Sequence, residues 1–129
     1  MEGRDVIIVG GGPAGLSAAI FTKLDGWDTL ILEGSWVGGQ GAIAFTVSNY
    51  PGFLPGDGAM LAENMEKQVT SAPPSGVGAE LKYERVISIH HEDMTVNTEN
   101  TTYGAKAIIL ATGSVMQKLG IPGEEEFVG

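Results

Sequence analysis

The sequence predicts an α/β fold: a parallel sheet with flanking helices and a small antiparallel β-meander. Three observations carry this. Within residues 6–33 an apolar strand, a glycine-rich turn, a helical run and a second apolar strand follow one another, which is the order of a βαβ unit. The uninterrupted apolar run Ala107-Ile108-Ile109-Leu110-Ala111 reads as a strand buried on both faces, as strands of a parallel sheet are. Ahead of it, short alternating segments are separated by acid, Asn and Gly turns.

The first strand, Val6-Ile7-Ile8-Val9, runs into Gly10-Gly11-Gly12-Pro13-Ala14-Gly15. Gly10 lets the chain leave the strand in a tight turn, Gly12 removes the side chain where a pyrophosphate approaches, and Gly15 lets helix and sheet pack closely. The N-terminus of the following helix offers free N–H groups and the positive end of its dipole to phosphate. Pro13 is tolerated there because the first turn has no intrahelical acceptor to satisfy. Glu33 closes the second strand, Thr29-Leu30-Ile31-Leu32, about 20 residues beyond the turn, where an acid accepts from ribose hydroxyls and repels the 2′-phosphate of NADP. The plain alternative is a Gly-rich turn and a solvated glutamate. Strand, helix, strand and acid in register weigh against it.

The first helix is expected from Pro13 to about Leu24, with Leu16, Ala19, Ile20 and Leu24 on one face and Asp25-Gly26 stopping it. Residues 34–55 read as a loop, yet they carry Trp36, Phe45, Tyr50 and Phe53, so the loop is expected to pack against something. A second helix starts at Asp57 or Gly58 and runs to about Val69, with Met60, Leu61, Met65 and Val69 at core spacing. Pro73-Pro74 forces a surface turn across 71–76. Strands at 80–83, 86–90, 94–98 and 102–105 then form the meander. His90 and His91 point to opposite faces of a strand and cannot share a metal. Glu124-Glu125-Glu126 reads as a solvated turn.

With 129 residues the chain is expected to form one domain, burying roughly two-thirds of its unfolded surface. A formal charge of -9 repels phosphate backbones, so nucleic acid is not an expected partner. No apolar run approaches the ~20 residues of a membrane span, and the start leads straight into a strand, so no membrane partner and a cytoplasmic location are expected. The sequence has no cysteine, which excludes a disulfide framework, a thiolate metal site and a redox dithiol.

Further segments fit a flavin better than a nicotinamide. Gly38-Gly39-Gln40 is a second close-approach turn followed by an amide, and Asn49 is an amide held by Tyr50-Pro51-Gly52. Amides suit a ring edge that alternates donors and acceptors. With these residues in view, the sequence resembles the FAD domain of the low-molecular-weight thioredoxin reductase family, among the two-dinucleotide-domain flavoproteins. The resemblance rests on VIIVGGGPAGLSAAI at 6–20, LILEG at 30–34, GGQ at 38–40, SNYPGF at 48–53, AIILATGS at 107–114 and GIPGEEEF at 120–127.

The resemblance implies a Rossmann-like FAD-binding domain spanning 1–129, the N-terminal part only, and FAD as cofactor. Gly10, Gly12, Pro13, Ala14 and Gly15 would surround the pyrophosphate, and Glu33 would hold the adenosine ribose. Gln40 and Asn49 would face the ribityl chain or flavin ring, Val86 would meet the adenine through its backbone, and Gly34 and Gly39 would also lie against the cofactor. Ala111, Thr112 and Gly113 would form a second glycine turn against the cofactor. Complete members continue into an NADPH domain with a Cys-x-x-Cys pair and return to finish the FAD domain. Relative to them this sequence is incomplete, so a homo-oligomer or a complementary chain is an expected partner. Two other functions stay open: a non-catalytic dinucleotide-binding or interaction module, and an NAD-binding dehydrogenase domain.

Overall fold

In the computed structural model, residues 1–127 are described; Val128 and Gly129 lie outside the described residues. The elements are β1 (Glu2–Val9), α1 (Pro13–Leu24), β2 (Thr29–Leu32), α2 (Gly39–Ala42), α3 (Gly58–Thr70), β3 (Glu80–Lys82), β4 (Val86–His90), β5 (Thr95–Thr98) and β6 (Thr102–Leu110). They build one mixed sheet in the order β3-β2-β1-β6-β5-β4. β1 pairs in parallel with β2 and β6, β2 in parallel with β3, and the β6-β5-β4 side is antiparallel.

Alternation along the central strands divides the core in two. Val6, Ile8 and Ile31 face Leu16 and Ala19 of α1 and Val69 of α3. Ile7, Val9, Leu30 and Leu32 face the other way and are covered by Val96 of β5 and Tyr103 of β6. Period-two side-chain direction thus puts helices on one face and the hairpin side on the other. Asp57 caps α3 by accepting from Met60 N at 2.7 Å, which satisfies one of the free N–H groups of a helix start.

Several expectations are corrected. The segments 102–105 and 107–111 are one strand ending at Leu110: Lys106 interrupts the apolar pattern but not the backbone, reaching Asp5 at 2.6 Å. Glu80–Lys82 is not in the meander but forms the parallel edge beside β2, placed there because Ala79 N donates to Val69 O and Glu33 N to Lys82 O. The apolar run is not buried on both faces: Ala107 is exposed and Leu110 is 67% exposed. Leu24 is exposed, because eight residues at ~100° each carry it about 80° round the helix from Leu16. Met60 is also exposed.

The aromatic loop departs most. It contains the four-residue α2 and an isolated bridge from Val47 to Gly56, and only Phe53 packs inward, its ring over Gly56. Phe45 is 95% exposed, and Trp36 and Tyr50 are exposed as well. Of the three C-terminal acids, Glu124 is not simply solvated: its carboxylate accepts from Leu119 N and Gly120 N. His90 ends β4 and His91 lies in the turn after it, both exposed.

Candidate functional site

The three central strands end level with one another, Val9 standing between Leu32 and Leu110. Beyond the carboxyl ends of parallel strands the backbone is left bare, which is where ligands enter such sheets. Here a cleft of ≈ 660 Å³ opens, bounded by the first glycine turn, by Glu33 and Trp36, by the turn around Gln40, and by residues 110–115.

The glycines set its shape. Gly10 takes φ +111°, and a Cβ there would stand 2.2 Å from Ala111 O, so the 111–113 turn lies flush against the first one. Ala111 N donates to Val9 O at 2.8 Å and Gly10 N to Leu32 O at 2.9 Å, tying both turns to strand ends. A Cβ on Gly15 would meet Gly10 O at 1.9 Å, so that glycine serves the contact between helix and strand. Gly12 differs: a Cβ there would meet nothing within 4 Å. It is the N-cap of α1 and supplies no side-chain cap, so N–H groups of the first turn are left free at the cleft.

The second turn docks on the first. Gly38 N donates to Gly11 O at 2.8 Å, and Gly39 faces the Cα of Gly12. Gln40 Nε2 donates to Ser114 O at 3.2 Å and links the 38–40 and 111–114 turns across the cleft. Glu33 is half-buried and works inside the protein: Oε2 accepts from Gly11 N and Oε1 from Ser35 N, each at 2.7 Å. A carboxylate has about four lone-pair sites, so acceptor capacity remains. No Lys or Arg lines the cleft; its positive potential comes from backbone N–H groups and the end of α1.

Residues 4–129 match the family described as pyridine nucleotide-disulphide oxidoreductase. The chain belongs to that family. Among its relatives are thioredoxin reductases of Treponema pallidum, 43% identical over 97% of this chain and 40% of that protein, and of Listeria monocytogenes, 41% identical over 97% and 38%. The crystal structure of Lactococcus lactis thioredoxin reductase superposes with a TM-score of 0.84 at 37% identity, covering 96% of this chain and 40% of that one. The chain therefore spans about 40% of the length of the relatives it matches. Over that span the chain is thioredoxin-reductase-like in sequence and in fold.

Within this pyridine nucleotide-disulphide oxidoreductase segment, Gly10, Gly12, Pro13, Ala14, Glu33, Gly39, Gln40, Ala111, Thr112 and Gly113 converge on the cleft, and Gly15 braces it from behind. Gly34, Asn49 and Val86 do not line it. Gly34 lies under the stem of Arg85, Asn49 is exposed, and Val86 packs against the cluster holding Ile7 and Val9. Sequence reasoning missed Ser35, Trp36, Gly41, Leu110, Ser114 and Val115. The position of Trp36 between Glu33 and the 38–40 turn was the available signal, since both its flanks were already assigned to the site.

Groups with shifted proton affinity lie outside this lining. Arg4 pairs with Glu2, with Glu80 at 2.7 Å and with Asp28 at 3.4 Å, and Lys82 with Glu2 and Glu80. These bonds hold the Glu2 carboxyl below its ordinary range. Burial, then the bond to Glu84, push the Tyr103 hydroxyl up. Among the described residues no group of three His, Asp or Glu could hold a metal ion, and no helix is long and apolar enough to cross a membrane.

Proposed function

We propose that this chain is the cofactor-holding part of a flavin-dependent oxidoreductase of thioredoxin-reductase type, with FAD laid along the cleft from Glu33 to Gln40. One observation carries the reading: three turns are in mutual contact, and at the cleft they enclose, Gly12 of the first turn and Gly113 of the third face open space while Gly10, Gly15 and Gly38 are packed tight. That is the cradle a pyrophosphate needs, and a side chain would fill it.

In this reading the free N–H groups of the first turn of α1, which begin at Ala14 because Pro13 has none, receive the phosphates. Glu33, already anchored by Gly11 and Ser35, offers its remaining lone pairs to ribose hydroxyls. Gln40, oriented by Ser114, presents the rest of its amide to the ribityl chain or ring, and Thr112 and Gly113 close the floor. Asn49, Gly34 and Val86 would join only through a rearrangement or through backbone atoms. Bound flavin supplies the redox chemistry; the chain binds and orients it. No side chain in the cleft other than Glu33 is ionisable, and without cysteine the chain has no dithiol of its own to exchange.

The reading also takes residues 1–129 as a single domain, the N-terminal part of an FAD-binding unit, located in the cytoplasm and completed by a second copy or a complementary chain. Titration of the purified chain with FAD, followed by flavin absorbance and by competition with ADP and NAD, is the test. Saturable FAD binding displaced by ADP is expected. Preference for NAD, or no dinucleotide binding, would overturn it.

A further inference from the structure

Trp36 is a large apolar side chain left 54% exposed within the wall of the cleft. It is not loose: its indole N–H donates to Gly39 O at 3.3 Å. That bond pins the ring between two fixed points. On one side stand Glu33 and Ser35, joined by the carboxylate's bond to Ser35 N. On the other stands Gly39, which abuts the Cα of Gly12. The indole therefore flanks the stretch of cleft between the acid and the open Gly12, tethered at Gly39. Trp27, the other tryptophan, does not line the cleft.

An exposed indole held by its polar edge presents its apolar faces to whatever fills the cleft. Resting on the FAD reading above, we infer that Trp36 is a specificity-determining wall for the adenosine half of the ligand. It covers the span from ribose to pyrophosphate and leaves the flavin end to the Gln40 side. With no basic side chain lining the cleft, apolar cover of this kind takes the place of charge pairing in holding the nucleotide. The chemical class it selects is an adenosine diphosphate moiety, whatever group is attached beyond the second phosphate.

The test uses Trp27→Phe as background, so that Trp36 is the sole indole reporter, and three probes: FAD, ADP and FMN. ADP does not absorb in the range of indole emission, so a change in that emission on ADP binding reports contact rather than energy transfer to flavin. The expected result is saturable quenching or a spectral shift with ADP. Trp36→Ala should weaken FAD and ADP by the same factor, about 10-fold as for loss of one aromatic contact to a nucleotide, while any FMN binding is unchanged. Trp36→Phe should recover most of the loss. Circular dichroism and a melting curve establish that each variant is folded, and wild-type chain serves for calorimetry if Trp27→Phe is not. Folded Trp36→Ala that binds FAD and ADP as wild type does, or that loses FMN equally, would overturn the inference and leave the FAD reading standing. Wild-type chain that binds none of the three would overturn that reading itself.

Discussion

At the scale of single residues, the fingerprint glycines separate into two kinds that a sequence pattern treats alike. Gly15 is required by the fold, because a Cβ would strike Gly10 O at 1.9 Å; Gly12 is required only by a ligand, because its Cβ would meet nothing. Gly12→Val should therefore abolish FAD binding with little change in melting temperature, the loss of a good N-cap costing about 1 kcal/mol. Gly15→Val should destabilise by ~3 kcal/mol or more, through overpacking that the backbone cannot relieve. Thermal melts beside FAD titrations check both, and a Gly12→Val chain that still binds FAD would remove the glycine turn from the site. Glu33 shows a third case. It was read as a ribose ligand, yet both its oxygens already accept from Gly11 N and Ser35 N. Glu33→Ala should weaken FAD binding by roughly 1.5–3 kcal/mol and also lower the stability of the ligand-free chain, which a ribose contact alone would not do. Denaturant unfolding without FAD is the deciding measurement.

At the scale of elements, β1 is tied to its neighbours by charge as well as by backbone. The Glu2 carboxyl is held below its ordinary range by its bonds to Arg4 and then Lys82, and that of Asp5 by Lys106 and then the Asp28 backbone. A depressed carboxyl contributes stability above its unfolded pKa, near 4, and loses it as pH falls through the folded value. Stability should thus be flat at neutral pH and fall on acidification below about pH 4, less steeply in high salt because both groups remain partly open to solvent. Glu2→Gln should flatten that fall, and urea melts across the acid range would show it. The same strand explains what the sequence made legible. α1, β2 and the end of β1 were readable to the residue, because glycine turn, proline and apolar blocks are local signals, whereas β1 begins at Glu2, four residues before its apolar block. The partner of β3 was not, since three residues of alternation say nothing of which neighbour is paired. β6 was split in two by Lys106, a residue that a strand edge accommodates by reaching to Asp5. At the cleft, the glycine turns and Gln40 stand where spacing put them and Asn49 does not, whereas Trp36, flanked in sequence by Glu33 and the 38–40 turn, is held there by a bond to Gly39 O.

At the scale of the whole molecule, apolar surface collects beside the cleft. Beyond Gly104 the flank of β6 facing away from β1 has no registered strand partner, and Leu110, Val115 and Met116 are exposed just past it. Phe45 and Leu54 are exposed on the loop after α2. An unpaired strand flank next to exposed apolar groups is a template for association. Against this stands the formal charge of -9, which sets one copy against another through a field that salt screens within about 10 Å at 0.1 M. The two effects act in opposite directions, so ionic strength decides between them. Light scattering should give a mass near the 13.4 kDa monomer in dilute buffer and a dimer or larger species as salt is raised. FAD held by the monomer should be bound more weakly than in a complete thioredoxin reductase, with the flavin end more mobile than the adenine end, since the bare flank of β6 and the residues 110–115 lie on one boundary of the cleft. Flavin fluorescence anisotropy, read beside ADP competition, separates the two ends. A chain that stays monomeric at every salt concentration, and binds FAD as tightly and as rigidly as a complete family member, would show that this surface needs no cover.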